Sequence, residues 1–219
     1  MKRTLNLVLL FTLILFCNCS GDNIQKIDKP ITLQTLKEGD LLFIAKKTNN
    51  PITDVTQGVD GLKIDHVAIY HKDGNTEYAL EAIPPKVVLT PISKFIERSK
   101  GKNKNQKPQI VIGRVKTDID INASIKKALS YIGRPYDFFY MPDDKEIYCS
   151  ELVQKCYVDH KGNLLFTPIP MSFHDKNGKI LKIWEDFYRL HKRKVPEGEP
   201  GSNPGDLSRR NILKISYDL

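Results

Sequence analysis

"EIYCSELVQK", residues 146–155, sets a cysteine between an apolar approach and an amphipathic run. Ile147 and Tyr148 precede Cys149, and Leu152, Val153, Cys156 and Tyr157 follow at helical spacing. Cys149, Ser150 and Glu151 then open a helix, and a thiol in a first helical turn faces backbone N–H groups that lack intrahelical partners. A helix N-terminus favours the thiolate, the form in which cysteine attacks. The same N–H groups can hold a developing oxyanion. The stretch admits two readings, a small buried hydrophobe or a nucleophile, and does not decide between them alone.

A nucleophilic cysteine also needs an imidazole. The five histidines are His66, His71, His160, His174 and His191. His66 lies in "DHVAIYH" (65–71), whose alternation reads as a strand with Val67 and Ile69 on one face and His66, Ala68 and Tyr70 on the other. It is either a buried structural histidine or a base. His71, at the turn end of that strand, is expected to be solvated, and His160 to end a helix. His174 and His191 lie in polar surroundings with no acid partner that the sequence suggests. Asp73-Gly74-Asn75 is a turn signal, so "TEYALEAI" (76–83) reads as the antiparallel partner strand. On it Glu81, between Leu80 and Ala82, is a carboxylate in an apolar stretch, which calls for a partner. Glu81 can orient the second nitrogen of His66. Glu77, nearer the turn, is expected to point to water. Asp65, next to His66, is a rival partner for the ring if it points inward.

The remaining pattern is α+β. Strands are expected at 41–45, 86–92 and 109–115, and a short helix over 93–99 with Ser93 as N-cap. Residues 52–60 read as a short helix or loop. A helix within 120–136 carries Ile121, Ile125, Leu129 and Ile132 on one face, with Gly133 just past its end. Further helices are expected at 147–160 and around 180–188. The segment 195–208, with its many Pro and Gly, reads as irregular surface. Pro84-Pro85 breaks the strand before it, and there is no internal repeat.

The N-terminal 23 residues carry a basic start (Lys2, Arg3) and an apolar run from Leu5 to Phe16. That is the pattern of an export signal, too short for the roughly 20 residues of a spanning helix. Cysteines followed by small polar residues resemble a bacterial lipoprotein signal, with Cys19 the lipidated residue and Cys17 the alternative. The expected organisation is a signal over 1–18, a tether over 19–31 and one domain over 32–219. An exported, membrane-anchored lipoprotein of a cell envelope follows. Cys149 and Cys156 on one helix are about 10.5 Å apart along its axis, too far for a disulfide. Of the 219 residues, Lys and Arg outnumber Asp and Glu by a formal +8, concentrated in 94–107 and 189–194. These are solvated segments, or attract anionic envelope polymers or lipid headgroups. No nucleic-acid motif, metal-ligand spacing or cofactor motif is present, so no metal, cofactor or nucleic-acid partner is expected.

"DHVAIY", then "EAI", then "YCSELV" together resemble the permuted NlpC-type papain-like cysteine amidases and peptidases of the YiiX/YebB-like group, related to lecithin-retinol acyltransferase-like proteins. "GDLLF" (39–43) is similar to that family's first strand, "GRPYDFFY" (133–140) to its segment with a tyrosine near the nucleophile, and "NPGDLS" (203–208) to its C-terminal segment. The resemblance covers residues 36–160 well and the last quarter weakly. It implies a circularly permuted papain-like α+β fold with an antiparallel sheet packed on helices. It implies Cys149 as nucleophile, His66 as base and Glu81 as orienter, and oxyanion or substrate contacts from Tyr136, Tyr148 and Ser150. The implied activity is hydrolysis of an amide bond in a cell-wall peptide or N-acyl amino acid. Acyl transfer or lipid hydrolysis by the same triad is the alternative, and a non-catalytic ligand-binding lipoprotein the rival from another class. The Asp before His66 departs from the small or polar residue commoner in the family.

Overall fold

The computed structural model describes residues 32–45, 51–55, 57–101, 105, 107, 109–175 and 177–218. The signal and tether, Cys17, Cys19 and half of the basic loop 100–107 lie outside the described residues. The element order is β1 (Leu41–Ala45), α1 (Pro51–Val55), β2 (Ile64–Asp73), β3 (Thr76–Ile83), β4 (Lys86–Pro91), α2 (Ile92–Ser99), β5 (Ile110–Val115), α3 (Ile121–Leu129), α4 (Cys149–Cys156), β6 (Ile169–Pro170), α5 (Lys182–Leu190), β7 (Pro200–Gly201), α6 (Pro204–Ser208) and β8 (Leu213–Asp218). Six strands form one antiparallel sheet in the order β4-β3-β2-β1-β5-β8, and β6 and β7 form a small ribbon.

The sheet has helices on both faces, so β1 is buried at every position. Leu41, Phe43 and Ala45 join Val67, Ile69, Leu80 and Ala82 in a core shared with α3, α4 and Leu207 of α6. Leu42 and Ile44 face the other way, with Ala68, Tyr70, Ala79 and Phe95 of α2. The period of two explains this division, since successive side chains leave a strand on opposite faces. A third cluster gathers Met171, Phe173, Trp184 and Tyr188 around α5. At the entry to β1, Gly39 has φ +77°, and the Tyr157 hydroxyl donates to its carbonyl at 2.7 Å. An added Cβ there would collide with Ile121, so this turn requires glycine. Asp40, wholly buried, accepts two hydrogen bonds from Arg114, from Nε at 2.7 Å and from Nη2 at 2.6 Å.

Some boundaries differ from the pattern reading. Pro91, not Ser93, is the N-cap of α2, because the chain turns directly out of β4. The helix expected within 120–136 stops at Leu129, and Ile132 is exposed in the turn that Gly133 closes at φ +88°. Its N-cap Asp120 accepts from the Ala123 amide at 2.9 Å. The helix expected at 147–160 ends at Cys156, where Tyr157 is already extended, leaving His160 outside it and exposed. Residues 195–208 are not irregular surface: they hold β7 and α6, with Ser202, Leu207 and Ser208 buried. The final strand β8, which pairs with β5, has no counterpart in the pattern reading.

Candidate active site

Cys149 is the first residue of α4 and is buried. Tyr148 precedes it in extended conformation, and Leu152 N makes the first intrahelical bond, to Tyr148 O at 3.0 Å. The amides of Cys149, Ser150 and Glu151 thus lack helical acceptors. Glu151 turns back to the Tyr148 amide at 3.4 Å and pairs with Lys155 at 2.8 Å, which fixes the helix start. The α4 helix packs across β2 and β3.

His66 and Glu81 share the sheet face of Ala68, Ala79 and Phe95, near the end of the β2–β3 pairing. His66 Nε2 lies 2.5 Å from Glu81 Oε2. Glu81 is wholly buried; Thr90 of β4 donates to its Oε1 at 2.6 Å, and Arg98 of α2 to its Oε2 at 2.5 Å. Burial alone would push this carboxyl up, but His66 and Arg98 hold it down at about 2. An ionised carboxylate only accepts, so Nε2 carries the proton it shares with Glu81, leaving Nδ1 for another partner. The Cys149 side chain is hydrogen-bonded to the ring as well. Burial lowers the ring's pKa, yet the hydrogen bonds to Cys149 and Glu81 outweigh it and raise it from 6.5 to about 9. Cys149, His66 and Glu81 are therefore brought together.

Asp65 does not take the ring. Ile44 pairs with His66 and Ala45 with Ile64, so Asp65 is the extra residue of a β-bulge, a device that re-aims a side chain. It lines the cleft beside Cys149 instead. Glu77 is exposed and accepts from the Tyr70 hydroxyl at 2.6 Å.

The aromatic walls of the cleft at Cys149 are Tyr136, Tyr140, Tyr148, Phe173 and Trp184. Tyr136 is positioned by its backbone: its amide donates to Pro85 O at 2.9 Å, and it bridges Ile147, two residues before Cys149. Its hydroxyl is raised by burial and by the proximity of Cys149. Tyr148 turns its ring into the same space and accepts from the Ser202 amide at 3.0 Å. Ser150 lines the cleft from the first turn of α4.

Tyr140, Trp184 and Ser202 line this site without having been singled out by the sequence. Buried Asp137 accepts from the amides of Phe139 and Met141, both at 2.7 Å, and folds the loop that turns Tyr140 inward at φ +50°. The aromatic run 138–140 was the available signal for Tyr140. Trp184 and Ser202 come from later segments, for which no signal existed.

Two histidines, His71 and His174, depart from expectation by pairing with acids. His71 is not solvated but pairs with Glu38 at 2.6 Å, across 33 residues. His174 does have an acid partner, Glu197 at 2.9 Å. His191 Nδ1 lies 2.8 Å from the Phe187 carbonyl. Cys156 is buried, unbonded to Cys149, and pushed up to about 12 by burial.

Comparison with known proteins joins these observations to a family. The chain is 28% identical over 128 residues to the uncharacterized protein YiiX of Escherichia coli (strain K12), spanning 57% of this chain and 58% of that relative. Its fold resembles the crystal structure of the metalloprotein yiiX from Escherichia coli O157:H7, at a TM-score of 0.64 and 19% identity, covering 84% of this chain and 97% of that one. Among the described residues of this chain, no group of three or more His, Cys, Asp or Glu is placed to hold a metal ion. The family model of the permuted papain-like amidase enzymes, YaeF/YiiX, matches residues 35–213. With its antiparallel sheet and helices in α+β arrangement, the chain belongs to this permuted papain-like amidase family, C92.

Proposed function

We propose that the protein is an exported cysteine hydrolase that cleaves an amide bond in a cell-wall peptide or N-acyl amino acid. The observation that carries this reading is the line Glu81–His66–Cys149 ending at the start of α4, inside an aromatic cleft. The thiol proton resides on His66 as sulfur attacks the carbonyl carbon, and the carbonyl electron pair moves onto oxygen. The free Cys149 amide, with Tyr136, stabilises that oxyanion. Collapse breaks the C–N bond, and the departing amine takes the proton from His66. Water then attacks the thioester, passing a proton to His66 and on to sulfur as the carboxylic acid leaves. Glu81 keeps the ring oriented and its charge compensated throughout.

The proposed setting is a bacterial envelope, with a lipid on Cys19 as anchor. Ile183 and Leu190, seven residues apart on α5 and 54% and 78% exposed, support a surface that meets a bilayer. The basic run 189–194 beside them complements anionic headgroups. The apolar walls of the cleft also favour a second reading, in which the same triad acts on a lipid acyl group or passes the acyl group to an amine. A non-catalytic binder has no use for an orienting carboxylate behind the histidine.

Iodoacetamide labelling near pH 6 tests the reading. Rapid labelling of Cys149 that is lost in His66→Ala supports the enzyme. Slow labelling in both proteins, at the rate of a free thiol, would overturn it. An added amine that diverts the product from acid to amide would identify the transferase.

A further inference from the structure

We propose that the cleft beside Cys149 recognises a neutral hydrogen-bond acceptor in the acyl part of its substrate, through the indole N–H of Trp184 and the hydroxyls of Ser150 and Ser202. The ligand class is an acyl group carrying a second carbonyl, as in an N-acylated amino acid, rather than a plain hydrocarbon chain. The inference rests on the amidase reading and narrows its substrate.

Buried polar atoms in folded proteins are nearly always hydrogen-bonded, and one left alone has lost its water without compensation. Trp184 Nε1 and Ser150 Oγ are buried and have no hydrogen-bond partner, and buried Ser202 Oγ has only the neighbouring Tyr148 hydroxyl beside it, outside good hydrogen-bond geometry. Their residues are 8%, 0% and 6% exposed. They come from α5, from the first turn of α4 and from the segment between β7 and α6, yet all three line this one cleft. Of the other polar groups of its walls, three are already engaged. Tyr148 Oη accepts from Ser202 N, Asn203 Oδ1 caps α6 by accepting from Asp206 N at 2.6 Å, and Ser172 Oγ accepts from His174 N at 3.3 Å.

The chemistry of the three groups selects the ligand. An indole N–H only donates, so its partner must be an acceptor, and two hydroxyls can donate to the same or a neighbouring oxygen. Among the described residues no Lys or Arg lines the cleft, so a carboxylate buried there would lack a counter-charge. A neutral carbonyl fits. Tyr140 and Phe173 hold the indole edge-on, at 5.9 and 5.4 Å between ring centroids. In this structure neighbouring atoms cover the three groups, so an acceptor reaches them as the walls part. The single tryptophan of the chain stands in one of those walls and reports that movement.

Two substrates differing in one acetamido group, which carries the second carbonyl, test the proposal: the p-nitroanilides of N-acetylphenylalanine and of 3-phenylpropanoic acid. A site built for an acceptor rejects the analogue that lacks it, because its own groups then stay unpaired. The expected kcat/KM ratio is on the order of tenfold or more in favour of the acetylated substrate. It should fall towards one in Trp184→Phe, by loss on that substrate alone. Equal kcat/KM in the unaltered protein, or a ratio unchanged in both Trp184→Phe and Ser202→Ala, would overturn it; Ser202→Ala also serves if Trp184→Phe does not fold. Binding of the two corresponding primary amides to Cys149→Ala, followed by Trp184 fluorescence, needs no turnover. Discrimination there without hydrolysis would leave the recognition standing and remove the amidase reading, whereas equal binding would remove the recognition.

Discussion

His66 Nε2 lies 2.5 Å from Glu81 Oε2 on the adjoining strand, with the carboxylate wholly out of water. The pair ties stability to pH from two sides. The ring, raised to about 9, contributes stability fully below 6.5 and loses it as pH rises through about 9. The carboxyl, lowered to about 2, contributes above 4.5 and loses it as pH falls through about 2. Both contributions are complete only between pH 4.5 and 6.5. The urea midpoint of the protein should therefore exceed that of His66→Gln most near pH 5.5, with the gap closing by about pH 9.5. A gap that stays constant across this range would contradict the assigned charge state.

Arg98 shares Glu81 Oε2 with the ring and lies over the Phe95 face, 5.2 Å from its centroid. Once His66 has released its proton, this guanidinium is the remaining compensation for the buried carboxylate. Arg98→Met keeps the apolar contact and removes the charge, so ring deprotonation would strand an anion. The midpoint of the His66 ring, followed by NMR of its carbons, should rise by roughly one pH unit. Arg98→Lys should restore most of the original value. Equal midpoints in all three proteins would show that Arg98 only packs.

The Asp40–Arg114 pair holds the entry of β1 to β5. Arg114→Met leaves an uncompensated buried carboxylate and should cost roughly 3–5 kcal/mol. The lower figure is favoured because the guanidinium is 26% exposed. Urea unfolding measures this, and replacing Asp40 by Asn as well should recover part of the loss.

A Cβ on Gly201 would lie 2.5 Å from Met171 Sδ and 2.9 Å from Tyr148 Oη, both in the cleft wall. Met171, which lines the cleft, must shift to make room. Gly201→Ala should lower kcat/KM roughly tenfold or more while the thermal midpoint moves by a few degrees. A normal kcat/KM would show that the wall yields without cost.

Much of this protein is local, and the sequence alone determined it. The strands at 41–45 and 76–83, and the helix opening at Cys149, follow from alternation, a turn signal and the spacing of apolar residues. Cys149, His66 and Glu81 were legible as candidates because each breaks the apolar pattern of its own segment. Tertiary packing decided what no local pattern encodes. It ended α3 at Leu129 and α4 at Cys156, buried the Pro- and Gly-rich segment around α6, and paired β8 with β5. It gave the ring to Glu81 rather than Asp65 through one bulged residue, and set Arg98 behind the pair. It also drew Trp184 and Ser202 to the cleft from segments far down the chain. Hydrophobic periodicity reports which face of an element is buried, whereas a site assembled across the sheet depends on which buried faces meet.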